Sequence, residues 1–452
     1  MRQEMEEALR GNNADYLDLR IEKRNTSHVV YRGKEMEDIG RAGSQGGSVR
    51  ALVKGGWGFV SFDDLSRLRD KVKLAIAQAR MAGNEKSQIA TLPPAVHLFD
   101  GDGGAGYRAV PLARKKALVE EYNQLLWSVP RIQTSNIGYG DVYKRVVFAN
   151  SEGSYIEQER TDFVLRLAAI ARDGADVQQA HLSVGSLGNF NAVTGLHRQV
   201  KEMAERAVQL LSAPKVTGGE FPVVLDPVLG GVFTHEAFGH LSESDFVYEN
   251  DAVREIMVLG KKFGQPHLNI VDGAAVPGLR GSYKYDDEGV PATKSYLIRD
   301  GILVGRLHSR ETAAKMGESP TGNARALDYH FPPIVRMTNT FIEPGKVSFQ
   351  DMVGEIKEGI YARNWYGGTT SMEMFTFSAG EAYMIRNGKI AEMVRPVVLT
   401  GNVFTTLGLI DAIGNDLDMN QGGGCGKGAQ SPLPVSNGSP HIRISRCLVG
   451  GR

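Results

Sequence analysis

Alternation of polar and apolar residues is the feature that most constrains the fold of this chain. Apolar side chains recur at every second position in residues 15–21 and 49–53. Because a β-strand points successive side chains to opposite faces of a sheet, this period indicates strands buried on one face. Residues 221–225 and many later short apolar runs, separated by glycine and proline, are also typical of strands. The sequence therefore predicts a protein rich in β-sheet.

Helical periodicity interrupts the strands at three places. The first helix is predicted after residues 61–64, which have the form of a capping box, and it runs through Ala79 to a stop at Gly83. The second helix begins at Pro111, and the third covers about residues 198–211.

The order of these elements predicts an α+β fold. An N-terminal α/β sheet-and-helix domain is expected in residues 1–214, with a subdivision near residues 91–111, which are rich in proline and glycine. Strand-like residues from about 142 to 167 belong to its second part. A β-rich C-terminal domain, expected to carry the metal site described below, is predicted in residues 215–452.

Charge and hydropathy exclude several classes of function. Lys plus Arg and Asp plus Glu both number 52, so no net positive field attracts nucleic acid or an anionic membrane. No apolar run approaches the length of about 20 residues that a membrane span needs, and the charged N-terminus lacks the apolar core of a signal peptide. We therefore expect a cytoplasmic protein with no nucleic-acid or membrane partner. Its two cysteines are expected to be free thiols in that compartment.

His235, Glu236 and His240 form a compact group of residues suited to bind a metal. Imidazole is a neutral zinc ligand, and an adjacent carboxylate can take a proton from water on the metal. Helical zinc motifs space their histidines four residues apart, whereas the spacing here is five. On a regular helix five positions separate side chains by about 140°, so the spacing predicts a π-type distortion, which Gly239 would tolerate. Two unrelated histidines beside a solvated glutamate are the alternative.

The third metal ligand is left open by the residues themselves. Cys425 lies in the glycine-rich run 421–428, whose flexible backbone could deliver a thiolate to zinc, although a buried core thiol is the alternative. This run lacks the first glycine and the final Ser or Thr of a phosphate-binding loop, so no nucleotide site is indicated. Cys447 has no such setting and is expected to be structural. The full set of candidate third ligands is Glu243, Asp245, Glu249, His330, Cys425 and His441.

The chain resembles the TldD/PmbA metallopeptidases, specifically the active TldD type, nearly from end to end. The resemblance is carried by residues 149–153, the segment His235 to His240, residues 286–289, residues 337–340 with 344–345, and residues 425–427. It implies a zinc ion (Zn²⁺) held by His235, His240 and Cys425. It also implies that Glu236 is the general base, which polarises the metal-bound water for attack on a peptide carbonyl.

The resemblance further implies substrates and partners. Family members act on small or unfolded peptides, including modified peptide precursors and labile antitoxins. The active subunit commonly pairs with a PmbA-type (TldE) subunit, which lacks the motif, around an enclosed chamber. We therefore expect either that partner or a homodimer. The alternative functions are a non-catalytic peptide-binding subunit, which would not need the intact ligand set, and a nucleic-acid-binding modulator, which the neutral charge disfavours.

Peptide binding and oxyanion stabilisation have candidate residues, but neither role is assigned. A peptide could add as a strand to a sheet edge, for which residues 337–341 and 286–290 are candidates, with core strands and turns as an equal alternative. Tyr329, His330 and Arg336 are polar candidates for stabilising the oxyanion, although each is explained more simply as a structural or surface residue.

Overall fold

The computed structural model describes residues 1–83, 87–98 and 105–451. Gly101, Gly103 and Gly104 of the predicted 91–111 segment lie outside these ranges. The α-helices are α1 (Arg2–Leu9), α2 (Leu68–Met81), α3 (Ala105–Arg108), α4 (Leu112–Trp127), α5 (His197–Ser212), α6 (Pro227–Phe233), α7 (Ser244–Glu249), α8 (Asp251–Ile256), α9 (Arg310–Met316), α10 (Phe349–Gly354) and α11 (Val403–Gly408).

Long antiparallel strands build the N-terminal sheet. Its strands are β1 (Tyr16–Arg32), β2 (Glu35–Val53), β3 (Gly56–Phe62), β4 (Val96–His97), β5 (Ile132–Asn150), β6 (Tyr155–Asp173) and β7 (Asp176–Leu187). They pair in the order β3-β2-β1-β5-β6, and β4 and β7 both pair with β6. Because β1 pairs directly with β5, one sheet continues across the segment of residues 91–111.

Helices cover this sheet and enclose two cores. Helices α1 and α2 pack with β1, β2 and β3 around Leu19 and Val72, which are both fully buried. Helices α4 and α5 pack with β5, β6 and β7 around Tyr122, Leu165 and Met203, which are also buried. The helices predicted at Pro111 and at about residues 198–211 are confirmed as α4 and α5.

The predicted capping box at residues 61–64 is wrong, although the helix that follows it exists. Ser61 lies in β3, opposite Ser48 of β2. Because it is part of the sheet, it does not cap the helix. Asp64 instead accepts hydrogen bonds from the N–H and hydroxyl of Ser66, at 2.9 and 2.6 Å. Helix α2 then begins at Leu68, preceded by Arg67 in a left-handed conformation without a side-chain cap.

Short strands dominate the chain from residue 219 onward. They are β8 (Gly219–Leu225), β9 (Ile270–Asp272), β10 (Ser295–Arg299), β11 (Ile302–Leu303), β12 (Ala324–Arg325), β13 (Ile334–Val335), β14 (Asn339–Ile342), β15 (Glu358–Ser371), β16 (Met374–Arg386), β17 (Lys389–Val394), β18 (Val397–Asn402), β19 (Ile410–Ile413), β20 (Asp418–Asn420), β21 (Gly424–Lys427), β22 (Gln430–Pro434), β23 (Ser436–Ser439) and β24 (Ile442–Gly451). Together with the N-terminal sheet and helices, they confirm the predicted α+β class.

Two sheets organise this second region. One has the order β11-β10-β9-β14-β23-β20. In the other, pairings run from β15 through β8, β24, β18 and β16 and return to β15, which closes a ring of five strands. The large core between these sheets includes Phe233, Phe238 and Phe377.

Strand β14 does not offer the free sheet edge for which residues 337–341 are a candidate, and it matches the alternative of a core strand. It pairs with β9 on one side and with β23 on the other, so its backbone groups are already used within the sheet. The second candidate, residues 286–290, forms a turn in which Asp286 N–H donates to the Val290 carbonyl. No helix among the described residues is long and apolar enough to cross a membrane.

Candidate metal centre

The histidine-bearing segment continues directly from α6. That helix begins after Asp226, whose carboxylate accepts from Leu229 N–H at 2.8 Å, with Pro227 at its first position. After Phe233 the backbone widens into a π-helix, Thr234–Gly239, which is followed by a 3₁₀ turn at His240–Ser242.

The predicted π-type distortion is confirmed. The N–H of His240 donates to the carbonyl of His235, five residues earlier. This bond brings residues five apart onto the same side of the segment, which a regular helix would not do. The two imidazole rings consequently lie with centroids 5.3 Å apart and planes at 80°.

Cys425 reaches the histidines from a separate β-hairpin. It lies in β21 opposite Leu433 of β22, and its side chain is 3% exposed. Its Sγ atom is 3.5 Å from Nε2 of His240. The fully buried guanidinium of Arg336 donates to the carbonyls of Cys425 and Gln430, at 2.8 and 3.1 Å, and so holds both strands of the hairpin.

The candidate ligand atoms of His235, His240 and Cys425 all lie within 4.8 Å of one another. Two imidazole nitrogens and one thiolate sulfur form a donor set that suits zinc. The buried Nδ1 atom of His235 has no hydrogen-bond partner among the described residues. An unmatched buried polar atom is costly, so its presence here favours a site that binds a ligand. The donor set therefore fits a zinc ion.

Electrostatics within the cluster favour the thiolate form of Cys425. Burial opposes its ionisation, but the imidazoles of His235 and His240 outweigh that effect and lower the pKa of the thiol to about 4. Burial likewise disfavours a charged His240, but Glu243 and Cys425 outweigh it and raise the pKa of that imidazole well above its ordinary value. The thiolate is the form of Cys425 that binds metal, whereas His240 must lose a proton to become a ligand, so metal binding at this site releases a proton.

Glu236 lies at the open side of the cluster. Its side chain is 34% exposed, and its Oε2 atom is 3.9 Å from Nε2 of His240, the nitrogen that also faces Cys425. A carboxylate in this position reaches both the cluster and solvent. It can accept a proton from a water at the site and release it to another group there.

Glu243 and Lys427 add a second set of contacts, which sequence reasoning missed. Glu243 was considered only as a ligand, and Lys427 was not considered for any role of its own. Glu243 lies 3.1 Å from Nδ1 of His240 and 3.0 Å from Nζ of Lys427. Burial works against its charge, but His240 and Lys427 outweigh it and lower the pKa of Glu243 to about 2. Its position three residues after His240 was the signal available in the sequence.

The other candidate third ligands lie in separate surroundings. Asp245 accepts from Lys427 Nζ at 2.7 Å, and Glu249 is exposed at the end of α7. His330 is exposed and pairs with Asp328, whereas His441 lies between Asp416 and Tyr361. In the described part of the chain, the metal-type cluster contains only His235, His240 and Cys425.

The candidates for oxyanion stabilisation already have other partners. The Tyr329 hydroxyl donates to Asp63 at 2.6 Å, and its ring stacks on His330. Arg336 is committed to the carbonyls of the cysteine hairpin. These contacts give all three residues a structural explanation.

A large cavity lies between the N-terminal sheet and the loops of the second region. Its volume is about 1320 Å³, and both charge signs line it, as at Lys144, Asp162 and Arg280. Leu433 and Pro434, which pair with Cys425 and Gly424 in the hairpin, form part of its wall. None of the three candidate ligands is among the described residues that line it. The cavity thus adjoins the cysteine hairpin without containing the cluster.

Comparison with protein families shows the family to which this chain belongs. Residues 218–451 match the PmbA/TldA metallopeptidase C-terminal domain, residues 17–79 match domain 1, and residues 106–211 match the central domain. The chain belongs to the TldD/PmbA metallopeptidase family. The part of this chain that matches the C-terminal domain contains His235, Glu236, His240 and Cys425.

Individual relatives of this TldD/PmbA protein are named as metalloproteases. One from Synechocystis is 48% identical over 97% of this chain and 96% of its own length. One from Methanothermobacter thermautotrophicus is 36% identical over 97% and 96% of the two chains. A relative from Saccharolobus solfataricus, named a zinc metalloprotease TldD homolog, is 30% identical over 97% of both chains.

Solved structures share the TldD/PmbA fold at low sequence identity. A Thermotoga maritima protein described as a modulator of a DNA gyrase has a TM-score of 0.80 and 20% identity over 99% of both chains. TldE from Thermococcus kodakarensis has a TM-score of 0.78 and 17% identity over 99% of this chain and 98% of its own. These likenesses establish the fold and leave the chemistry to the residues of the site.

Proposed function

We propose that this chain is a zinc metallopeptidase that hydrolyses small or unfolded peptides. His235, His240 and Cys425 are the proposed ligands, and Glu236 is the proposed general base. The observation that carries the proposal is the convergence of three ligand atoms within 4.8 Å, one from a π-helix, one from the 3₁₀ turn that follows it and one from a hairpin. The names of the relatives as metalloproteases support the reaction class.

Zinc held there would supply Lewis acidity toward water and the peptide carbonyl. Glu236 performs the proton transfers: its carboxylate accepts a proton from the attacking water and then donates it to the nitrogen of the leaving amine. Its partial exposure leaves room for both groups to approach. His235 is held by burial and His240 by Glu243, so the base moves protons beside a fixed framework.

The size and charge of the neighbouring cavity support a peptide substrate. About 1320 Å³ can hold several residues, and a wall with both charge signs suits a peptide of variable sequence. The family resemblance supports a PmbA-type partner subunit or a second copy of this chain as the companion in a dimer. Light scattering of the purified chain, alone and mixed with a PmbA-type subunit, tests which assembly forms.

The decisive experiment combines peptide cleavage with metal analysis. Glu236→Gln keeps the size of the side chain but removes its ability to accept a proton at neutral pH. We expect peptide turnover to fall by about 10²–10⁴-fold while zinc content stays at one per active subunit. Glu255→Gln, an exposed position in α8, is the matched control and is expected to keep full turnover.

Undiminished turnover in Glu236→Gln would contradict the proposed role of this residue. A wild-type protein that binds zinc but cleaves no peptide, with either partner present, would instead favour a non-catalytic peptide-binding subunit. Zinc retained at full occupancy in Cys425→Ser would assign the third ligand to another residue.

A further inference from the structure

Glu243 makes three polar contacts that join the two halves of the candidate site. It directly follows the 3₁₀ turn that contains His240, and it is 1% exposed. Its Oε2 atom lies 3.1 Å from Nδ1 of His240 and 3.0 Å from Nζ of Lys427. Its Oε1 atom accepts from the backbone N–H of Met337 at 3.3 Å. The carboxylate is therefore fixed in one orientation.

The contact with His240 determines which ring nitrogen faces the cluster. A neutral imidazole that donates from Nδ1 to a carboxylate keeps its lone pair on Nε2. In this structure Nε2 of His240 is the atom 3.5 Å from Sγ of Cys425. Glu243 thus turns the metal-binding nitrogen toward the thiolate.

The contact with Lys427 reaches the other half of the site. Lys427 lies two residues after Cys425 in β21, and its ammonium also donates to Asp245 at 2.7 Å and to the Val335 carbonyl at 3.0 Å. The lysine is only partly exposed, and its side chain crosses from the cysteine strand to the histidine segment. One buried carboxylate consequently bonds to residues on both elements that supply ligands.

We propose that Glu243 is a positioning residue of the zinc site and that Lys427 is its partner on the cysteine strand. Glu243 orients His240 directly and, through Lys427, holds the strand of Cys425 at ligand distance. The inference rests on the proposed zinc site. Glu243 and Lys427 are not ligands themselves, but they set the relative positions of the three ligands.

Zinc affinity provides the first test. Glu243→Gln has the same shape but carries no charge, and its NH₂ group must face either the N–H of Met337 or the donors of His240 and Lys427, so it cannot accept all three bonds. We expect the Kd for zinc, measured by chelator competition in the full-length protein, to increase by about 10–100-fold. Asp245→Asn is the matched control because it removes the other carboxylate of Lys427 but leaves the bond between Glu243 and His240 intact. Its Kd is expected to stay within about threefold of wild type.

Cobalt(II) substitution provides a readout that stability alone would not change. The thiolate-to-cobalt absorption band reports whether Cys425 is a ligand. We expect this band to weaken in Lys427→Met and to recover in Lys427→Arg, which restores a cation that can bond to Glu243. These two variants also test the inference if Glu243→Gln does not fold.

The outcomes distinguish failure of the positioning role from failure of the proposed function. A wild-type protein that binds zinc, combined with wild-type zinc affinity in Glu243→Gln, overturns the positioning role and leaves the proposed function intact. An unchanged cobalt band in Lys427→Met overturns the role of Lys427. A wild-type protein that binds no zinc overturns both the proposed function and this inference.

Discussion

Gly239 packs directly against Sδ of Met337, so that a Cβ atom at position 239 would overlap the sulfur. Met337 is fully buried, which limits its room to move. Its own N–H donates to Glu243, so the contact connects the π-helix to the bonded network beneath the histidines. Glycine at this position therefore serves close packing as well as the unusual helix.

Gly239→Ala should destabilise the protein because the new methyl group must displace Met337. We expect a loss of about 1–3 kcal/mol in the free energy of unfolding, measured by chemical denaturation. Gly354→Ala is the control, because this exposed helical glycine has open space around its Cβ position. It should be neutral or stabilising by up to about 1 kcal/mol. Equal stability of the two variants would refute the packing argument.

The two cysteines should differ sharply in reactivity in metal-free protein. The pKa of Cys425 is about 4, whereas burial raises that of Cys447 to about 12. Because Cys425 is already a thiolate, its alkylation by iodoacetamide should stay nearly constant between about pH 6 and 8, and Cys447 should remain unmodified. Peptide mass spectrometry measures both sites, and added zinc should protect Cys425. An alkylation rate of Cys425 that rises about tenfold per pH unit, as for an ordinary thiol, would contradict the ion-pair arrangement.

Asp226 should make stability depend on pH. Burial raises its pKa from 3.8 to about 6, and the N–H groups of Leu229 and Asn364 offset only part of that effect. An acid with a raised folded pKa contributes most stability below its unfolded pKa, and that stability falls as the pH rises from about 4 to 6. The cost at neutral pH is on the order of 3 kcal/mol.

Asp226→Asn removes this titration while keeping a good N-cap. Its advantage in Tm over wild type should therefore be larger at about pH 7.5 than at about pH 4.5. Asp70→Asn, at an exposed position of α2, should show no such trend. A constant difference in Tm between Asp226→Asn and wild type would contradict the raised pKa.

Glu288 links the N-terminal sheet to the second region. It accepts from the guanidinium of Arg50 in β2 at 2.8 Å and from the N–H of Arg310 at 2.7 Å, and both side chains of the ion pair are buried. Glu288→Gln should lower the free energy of unfolding by about 2–4 kcal/mol, because Arg50 loses a buried counter-charge. Glu392→Gln, which disrupts an exposed pair with Arg386, should cost less than about 1 kcal/mol in the same denaturation assay. Comparable effects of the two variants would show that burial does not strengthen the ion pair between Glu288 and Arg50.

The sequence predicted the elements whose signals are local. The five-residue spacing of His235 and His240 required a wider helix, and the π-helix follows that requirement. The helices α4 and α5 follow their apolar periodicity. The capping box failed because β3 extends to Phe62 and uses Ser61 in pairing, a tertiary demand that a four-residue motif does not reveal.

Features that depend on distant partners were harder to predict. Residues 339–342 look like any short strand, and only the pairing of β14 with both β9 and β23 shows that they are interior. Spacing alone left six candidates for the third ligand, and the resemblance to the family, rather than local pattern, selected Cys425. The contacts of Glu243 with Lys427 join residues far apart in sequence, so no local pattern could have indicated them.

The place of β24 in the closed ring of strands determines when each region of the chain can fold during synthesis. This strand lies between β8 and β18, so the ring cannot close until Ile442–Gly451 has left the ribosome. The strands of the N-terminal sheet end at Leu187 and the helix α5 that packs on them ends at Ser212, so this sheet can form while translation continues. His235 and His240 are therefore synthesised before Cys425, and the ring of strands closes only after β24 has followed. A nascent chain should therefore acquire metal late, so that the proposed peptidase activity begins only after the ring of strands has closed.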